Sequence, residues 1–149
     1  MKRIVLLAFG MAALCTMGLL AEGPACDKGT LNGAYAMSIS GTRPAPGFPA
    51  GAVEQVLGVF VQVFDGVGTF VQTDNTFIKG GYSGLFPDKP GTGTYTVNAD
   101  CTGTFTVHLP QLPAPLVNKM VIFNGGLEFR SIVVSPPAMM ISVTARKIQ

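Results

Sequence analysis

Gly93-Thr94-Tyr95-Thr96-Val97-Asn98-Ala99-Asp100-Cys101-Thr102-Gly103-Thr104-Phe105-Thr106-Val107 alternates threonine with other, mostly larger or apolar residues on either side of a short polar break. Side chains of a strand point to opposite faces with a period of two, so this is the pattern of two half-buried strands joined by a turn. A slip of one residue turns a whole strand over, so only loop lengths that keep the threonines together are acceptable. A three-residue turn at Asn98, Ala99 and Asp100 meets that condition and pairs Val97 with Cys101 and Thr96 with Thr102. It sends Tyr95, Val97, Cys101, Phe105 and Val107 into a core and the threonines outward. A two-residue turn would set threonines against Phe105.

Outward from this hairpin the same strand-like texture continues. Glycine and proline interrupt the chain too often for long helices, and strand-like runs lie near Leu31 to Ile39, Val53 to Phe64, Thr69 to Thr73, Phe77 to Ser83, Thr92 to Val97, Cys101 to His108, Lys119 to Phe123, Leu127 to Val134 and Met139 to Arg146. Asp65-Gly66 and Asn124-Gly125-Gly126 accept positive φ and mark tight turns. Arg43 to Gly51, Phe86 to Gly91 and Leu109 to Pro115 are proline-rich and are expected as loops. The expected fold is all-β: an antiparallel meander of about eight strands closing into a barrel, with a β-sandwich as the alternative.

A two-residue turn at Asn124-Gly125 or Gly125-Gly126 places Met120, Ile122, Leu127, Phe129 and Val133 on the core side. The other side carries Val121, Phe123, Ile132 and Val134 with the Glu128/Arg130 pair. An outer face that apolar is expected to meet a loop, a second sheet or a second copy of the chain.

The chain opens with Lys2 and Arg3 and an uncharged apolar run from Ile4 to Leu20, the layout of a secretory signal peptide. Residues 1–21 are expected to be removed after Ala21, or alternatively after Ala25, leaving 22–149 as one domain. An uncleaved anchor is the rival reading; neither Cys15 nor Cys26 has the small residues and leading Leu expected before a lipidated cysteine. Ten basic residues stand against 8 acidic ones. Losing Lys2 and Arg3 leaves the mature chain near neutrality, with no basic face to attract nucleic acid or anionic lipid. The expected location is periplasmic or extracellular, with no stable membrane insertion after cleavage. A transmembrane barrel would show aromatic girdles and a closing aromatic residue, and this chain shows neither.

Cys15 leaves with the signal, so Cys26 and Cys101 form an even pair in an oxidising compartment and read as a disulfide. Two free thiols or a redox pair are the alternative, which no C-x-x-C or nearby basic residue supports.

Cys26, Gly29-Thr30-Leu31-Asn32-Gly33 with Tyr35, Phe64-Asp65-Gly66, Gly93 to Thr104, and Val143-Thr144-Ala145-Arg146-Lys147 together resemble a group of small exported bacterial proteins with no assigned activity. The resemblance covers most of the mature chain, and the segment from Tyr95 to Cys101 is its most specific part. It implies a compact antiparallel β-barrel similar to the lipocalin or allene oxide cyclase barrels, with the two cysteines joined, and it implies no catalytic residue. The Gln62 and Val67 region and the proline-rich stretch after His108 depart from the group's pattern, so no pocket carries over there.

Few residues of the chain offer chemistry. His108, the single histidine, ends a strand in phase with the outward threonines and reads as exposed. One histidine and no spare thiolate give no metal cluster. Asp65, Asp74, Asp88 and Asp100 sit in turn-like contexts, where Asp bonds the local backbone. Glu54, at the head of an apolar strand, is the one carboxylate with an unusual context: turned inward it would become an acid, a base or a ligand contact, against the plainer reading of a solvated strand end. No catalytic residue, metal or cofactor is expected. The leading functional expectation is a small apolar ligand held in the barrel without catalysis. The alternatives are an envelope interaction module acting as a homo-oligomer and, third, a cyclase or isomerase of the allene oxide cyclase kind.

Overall fold

A computed structural model of the protein describes residues 25–79 and 84–148. The expected signal segment, residues 1–21 with its cut after Ala21, lies outside the described residues. Eight strands follow one another: β1 (Asn32–Pro44), β2 (Val53–Asp65), β3 (Thr69–Lys79), β4 (Gly84–Val97), β5 (Thr102–His108), β6 (Leu116–Phe123), β7 (Glu128–Ser135) and β8 (Met140–Lys147). Each pairs antiparallel with the next and β8 returns to β1, so the sheet is a closed barrel and the sandwich alternative falls. Among the described residues no helix is long and apolar enough to cross a membrane.

The threonine hairpin is real, but its register differs. Val97 faces Gly103 and Thr96 faces Thr104, two residues beyond the expected partners. The turn is Ala99-Asp100-Cys101, closed by Asn98 N–H donating to the Thr102 carbonyl at 2.8 Å. Cys101 therefore leaves the ladder and takes φ +63°, the left-handed residue that ends such a three-residue loop. The faces survive because the shift is even: Tyr95, Phe105 and Val107 are buried, and Thr92, Thr94 and Thr96 are exposed.

Nine expected runs become eight strands because Thr69 to Thr73 and the described part of the next run form the single strand β3. The expected loop Phe86 to Gly91 lies inside β4. Two prolines survive there because β4 pairs with β5 only from Thr92 to Val97, so its earlier residues have an unpaired edge. The β3–β4 register shifts between Asp74 and Thr76, and Asp88 takes φ +51° in the bulge rather than a free turn. Leu127, expected in the core, is 52% exposed: Asn124, Gly125 and Gly126 all have positive φ, and the alternation resumes only at Glu128. Buried Gly126 lies against the Thr30 carbonyl, where a Cβ would collide.

One end of the barrel is a solid aromatic plug. Tyr35, Phe64, Phe70, Tyr95, Phe105 and Phe129 are all buried. Phe64 meets Tyr35, Tyr95 and Phe129 edge-on with centroids 5.3, 5.0 and 5.8 Å apart, the arrangement that ring quadrupoles favour. Gly93 makes room for this plug, because the Phe70 ring occupies the place of its Cβ. A 3₁₀ turn at Lys28–Thr30 and fully buried Leu31 close the end. Tyr35 Oη donates to the Gly126 carbonyl at 2.5 Å, and Tyr95 Oη lies within hydrogen-bonding distance of the Lys28 and Leu31 carbonyls at 2.9 and 3.0 Å. Cys26 and Cys101 are joined across the same end, 75 residues apart in sequence.

Candidate functional site

The register places the ends of β1, β3, β5 and β7 and the starts of β2, β4, β6 and β8 at the opposite end of the barrel. There the loops 45–52, 109–115 and 136–139 gather around a mouth. β1 to β4 run 11 to 14 residues and β5 to β8 only 7 or 8, so one wall stands taller than the other. Loop 109–115 lies beside the short wall, held by its own turn from Leu112 N–H to the Leu109 carbonyl at 2.9 Å.

Inside this mouth is a cavity of about 520 Å³. Phe60 and Phe105 bound it among an apolar wall that includes Ile39, Val56, Val107, Val133, Ile141 and Val143, and Pro46, Leu109, Leu112, Pro113 and Met139 contribute to its lining from the loops. Seven polar or charged side chains join this wall: Arg43, Gln72, Asp74, Thr76, Lys89 and Asn118 from the strands and Gln111 from a loop. A concave apolar volume of this size with a few convergent polar groups is the usual form of a small-molecule site.

Glu54 is turned into the barrel and is 1% exposed, so the solvated strand end is overturned. It faces Arg43 across the first hairpin, and Arg43 Nε lies 2.5 Å from Glu54 Oε1. Arg43 lines the cavity while Glu54 sits behind it, which makes Glu54 the counter-charge of a lining residue.

Asp74, read from sequence as a turn residue, is an inward strand residue 5% exposed. Phe70, Gln72, Asp74 and Thr76 alternate with Thr69, Val71 and Thr73, and the even set faces inward. Burial pushes the Asp74 carboxyl up to about 6, against the hydrogen bond that Gln72 Nε2 donates to its Oδ1 at 2.7 Å. Lys89 is its ladder partner on β4 and lines the same cavity.

Among the described residues, buried polar atoms with no hydrogen-bond partner are Gln72 Oε1 and Asn118 Oδ1 in the cavity lining and, outside it, Ser131 Oγ and both amide atoms of Gln62. Buried polar groups are nearly always bonded in native proteins, so Gln72 Oε1 and Asn118 Oδ1 bring unused acceptor capacity to the cavity. Sequence reasoning passed over Gln72, Lys89 and Asn118. The only signal available was strand phase from Phe70, Tyr95 and Met120, and polar residues on both faces of β3 obscured it.

Asp65 and Asp100 are turn residues as expected. Asp65 Oδ1 accepts from the amides of Val67, Gly68 and Thr69, each at 2.9 Å, and the Thr69 hydroxyl above all holds its carboxyl well below the usual range. His108 is exposed on the outer face. Among the described residues, no group of three or more His, Cys, Asp or Glu is placed to hold a metal ion. Val121, Phe123, Ile132 and Val134 are exposed, but Lys119, Glu128 and Arg130 interrupt them, whereas Leu57, Val59, Val61 and Val63 make an unbroken outward strip on β2. A depression of about 790 Å³ lies on the outer wall beside that strip, over the small residues Ala36 and Ser38, as an open furrow. The interior cavity has the converging buried polar groups that the furrow lacks. No protein-family model, curated protein or solved structure matches the chain, so the cavity and its residues carry the functional reading by themselves.

Proposed function

We propose that this is an exported, non-catalytic barrel that binds a small, largely apolar ligand at its open end. The observation that carries the reading is the cavity of about 520 Å³ above the aromatic plug, whose apolar wall is interrupted by buried, incompletely bonded polar side chains. Small up-and-down barrels hold one ligand when side chains leave part of the interior unfilled. Here the aromatic residues fill one half. The disulfide supports maturation in an oxidising compartment, and the signal-like residues 1–21 supply a route there. Membership of the small exported barrel proteins that Tyr95 to Cys101 resembles is part of this proposal.

Native mass spectrometry of the protein purified from its own exported fraction tests the reading. The expected spectrum has a mass above the oxidised polypeptide that disappears on denaturation. A bare polypeptide that also fails to take up anilinonaphthalene sulfonate overturns it.

A second reading, self-association through the Val121, Phe123, Ile132 and Val134 face or the neater β2 strip, is favoured by the exposure of these side chains. Light scattering showing a monomer at high concentration removes it.

A further inference from the structure

We infer that the ligand carries a hydroxyl head that donates to Gln72 Oε1 or Asn118 Oδ1, and that the site prefers an alcohol to a carboxylate of the same chain. This rests on the proposed ligand-binding role and adds the chemistry of the head group.

Gln72 and Asn118 are 6% and 2% exposed and line the cavity, and each has an amide oxygen without a partner among the described residues. The orientation of Gln72 follows from its donation of Nε2 to Asp74, which leaves Oε1 as a true acceptor. The bonding these residues lack is therefore a donor. An ionised carboxylate can only accept, and in this region it would meet two amide oxygens and the Asp74 carboxyl. Of the two lining cations that would welcome it, Arg43 is engaged by Glu54 and Lys89 stands opposite Asp74 on the ladder. A protonated amine donates, but shares the cavity with Lys89 and Arg43. A hydroxyl donates one bond, keeps acceptor capacity for Lys89, and brings no charge into the apolar wall.

The experiment compares 1-dodecanol, dodecanoate and dodecylamine by isothermal titration at neutral pH, on the disulfide-bonded protein. The expected order places dodecanol about tenfold or more ahead of both others, the scale of one hydrogen bond to an otherwise unpaired buried acceptor. Gln72→Met and Asn118→Leu, each first shown to be folded by thermal unfolding, are expected to bring the alcohol and carboxylate affinities together. Dodecanoate or dodecylamine binding as tightly as dodecanol overturns the head-group assignment and leaves the ligand-binding role standing. Failure of all three to bind also overturns the head-group assignment, while the native spectrum and dye uptake decide the ligand-binding role. Should neither variant fold, the comparison on the parent protein decides alone.

Discussion

Gln72 and Asp74 lie two residues apart on one face of one strand, and the 2.7 Å bond from Gln72 Nε2 to Asp74 Oδ1 holds a carboxyl inside the barrel. Its folded pKa of about 6 lies above the ordinary value of 3.8, so between those limits the folded protein holds a proton that the unfolded chain has released.

Stability is therefore expected to fall as pH rises from about 4 through 6. This group contributes up to about 3 kcal/mol of that change, at 1.36 kcal/mol per pKa unit. Below pH 4 the trend reverses, because Asp65 and Asp100 are held below their usual range by hydrogen bonds, with the side chains of Thr69 and Thr102 foremost, and lose that advantage on protonation. Urea denaturation across this range should show a maximum near pH 4 to 5, and Asp74→Asn should remove the limb above it.

Half-buried Arg43 and fully buried Glu54 are the second polar pair. Removing one partner leaves a buried carboxylate without its guanidinium, which typically costs about 3–5 kcal/mol, whereas replacing both by apolar residues is often much milder. Arg43→Met is expected to lose about 3 kcal/mol in chemical denaturation, and the Arg43→Met/Glu54→Met double variant to recover part of it.

Gln62 is 0% exposed and neither end of its amide is bonded among the described residues. Each buried, unmade hydrogen bond costs about 1–3 kcal/mol. Gln62→Met keeps the shape and removes both polar atoms, so it should raise stability by about 1–3 kcal/mol, seen as a higher melting temperature. An unchanged or lower value would show that Gln62 is bonded in solution.

The disulfide closes 75 residues of sequence separation. A loop of that length stabilises by on the order of 4 kcal/mol in the chain-entropy description. Cys26→Ser should lose most of this in urea, and the parent protein should lose the same amount under strong reductant. Ligand binding by the folded fraction is expected to persist, since the bridge and the cavity lie at opposite ends.

The barrel was legible because β5 and the second half of β4 alternate cleanly, and one hairpin with clear faces constrains its neighbours. The detailed register was less legible, since Cys101 adopting a left-handed conformation is set by the turn and the bridge to Cys26 rather than by alternation. β2 was opaque for another reason. Its sequence, VEQVLGVFVQVFD, has apolar residues on both faces, and the structure turns Glu54 and Gln62 inward and Val59, Val61 and Val63 outward. Hydropathy alone favours the reverse for those residues. Asp74 was hidden likewise: beside Asn75 it looks like a turn, but the ladder with β2 carries straight through it and Lys89 of β4 pairs with it just before the bulge. A site made from polar residues at core positions is hard to find by rules that assign polar residues to surfaces.

The aromatic plug gives the molecule a division of labour along its axis. Rings, bridge and the turn at Lys28–Thr30 consolidate one end, so the proline-bearing rim at the other can change with little effect on folding. A lineage or an engineer could rewrite Leu109 to Pro115 or Pro46 to retune what enters while leaving the interlocked rings alone. Diversity in such a protein is expected to collect at the mouth, and constancy at the base.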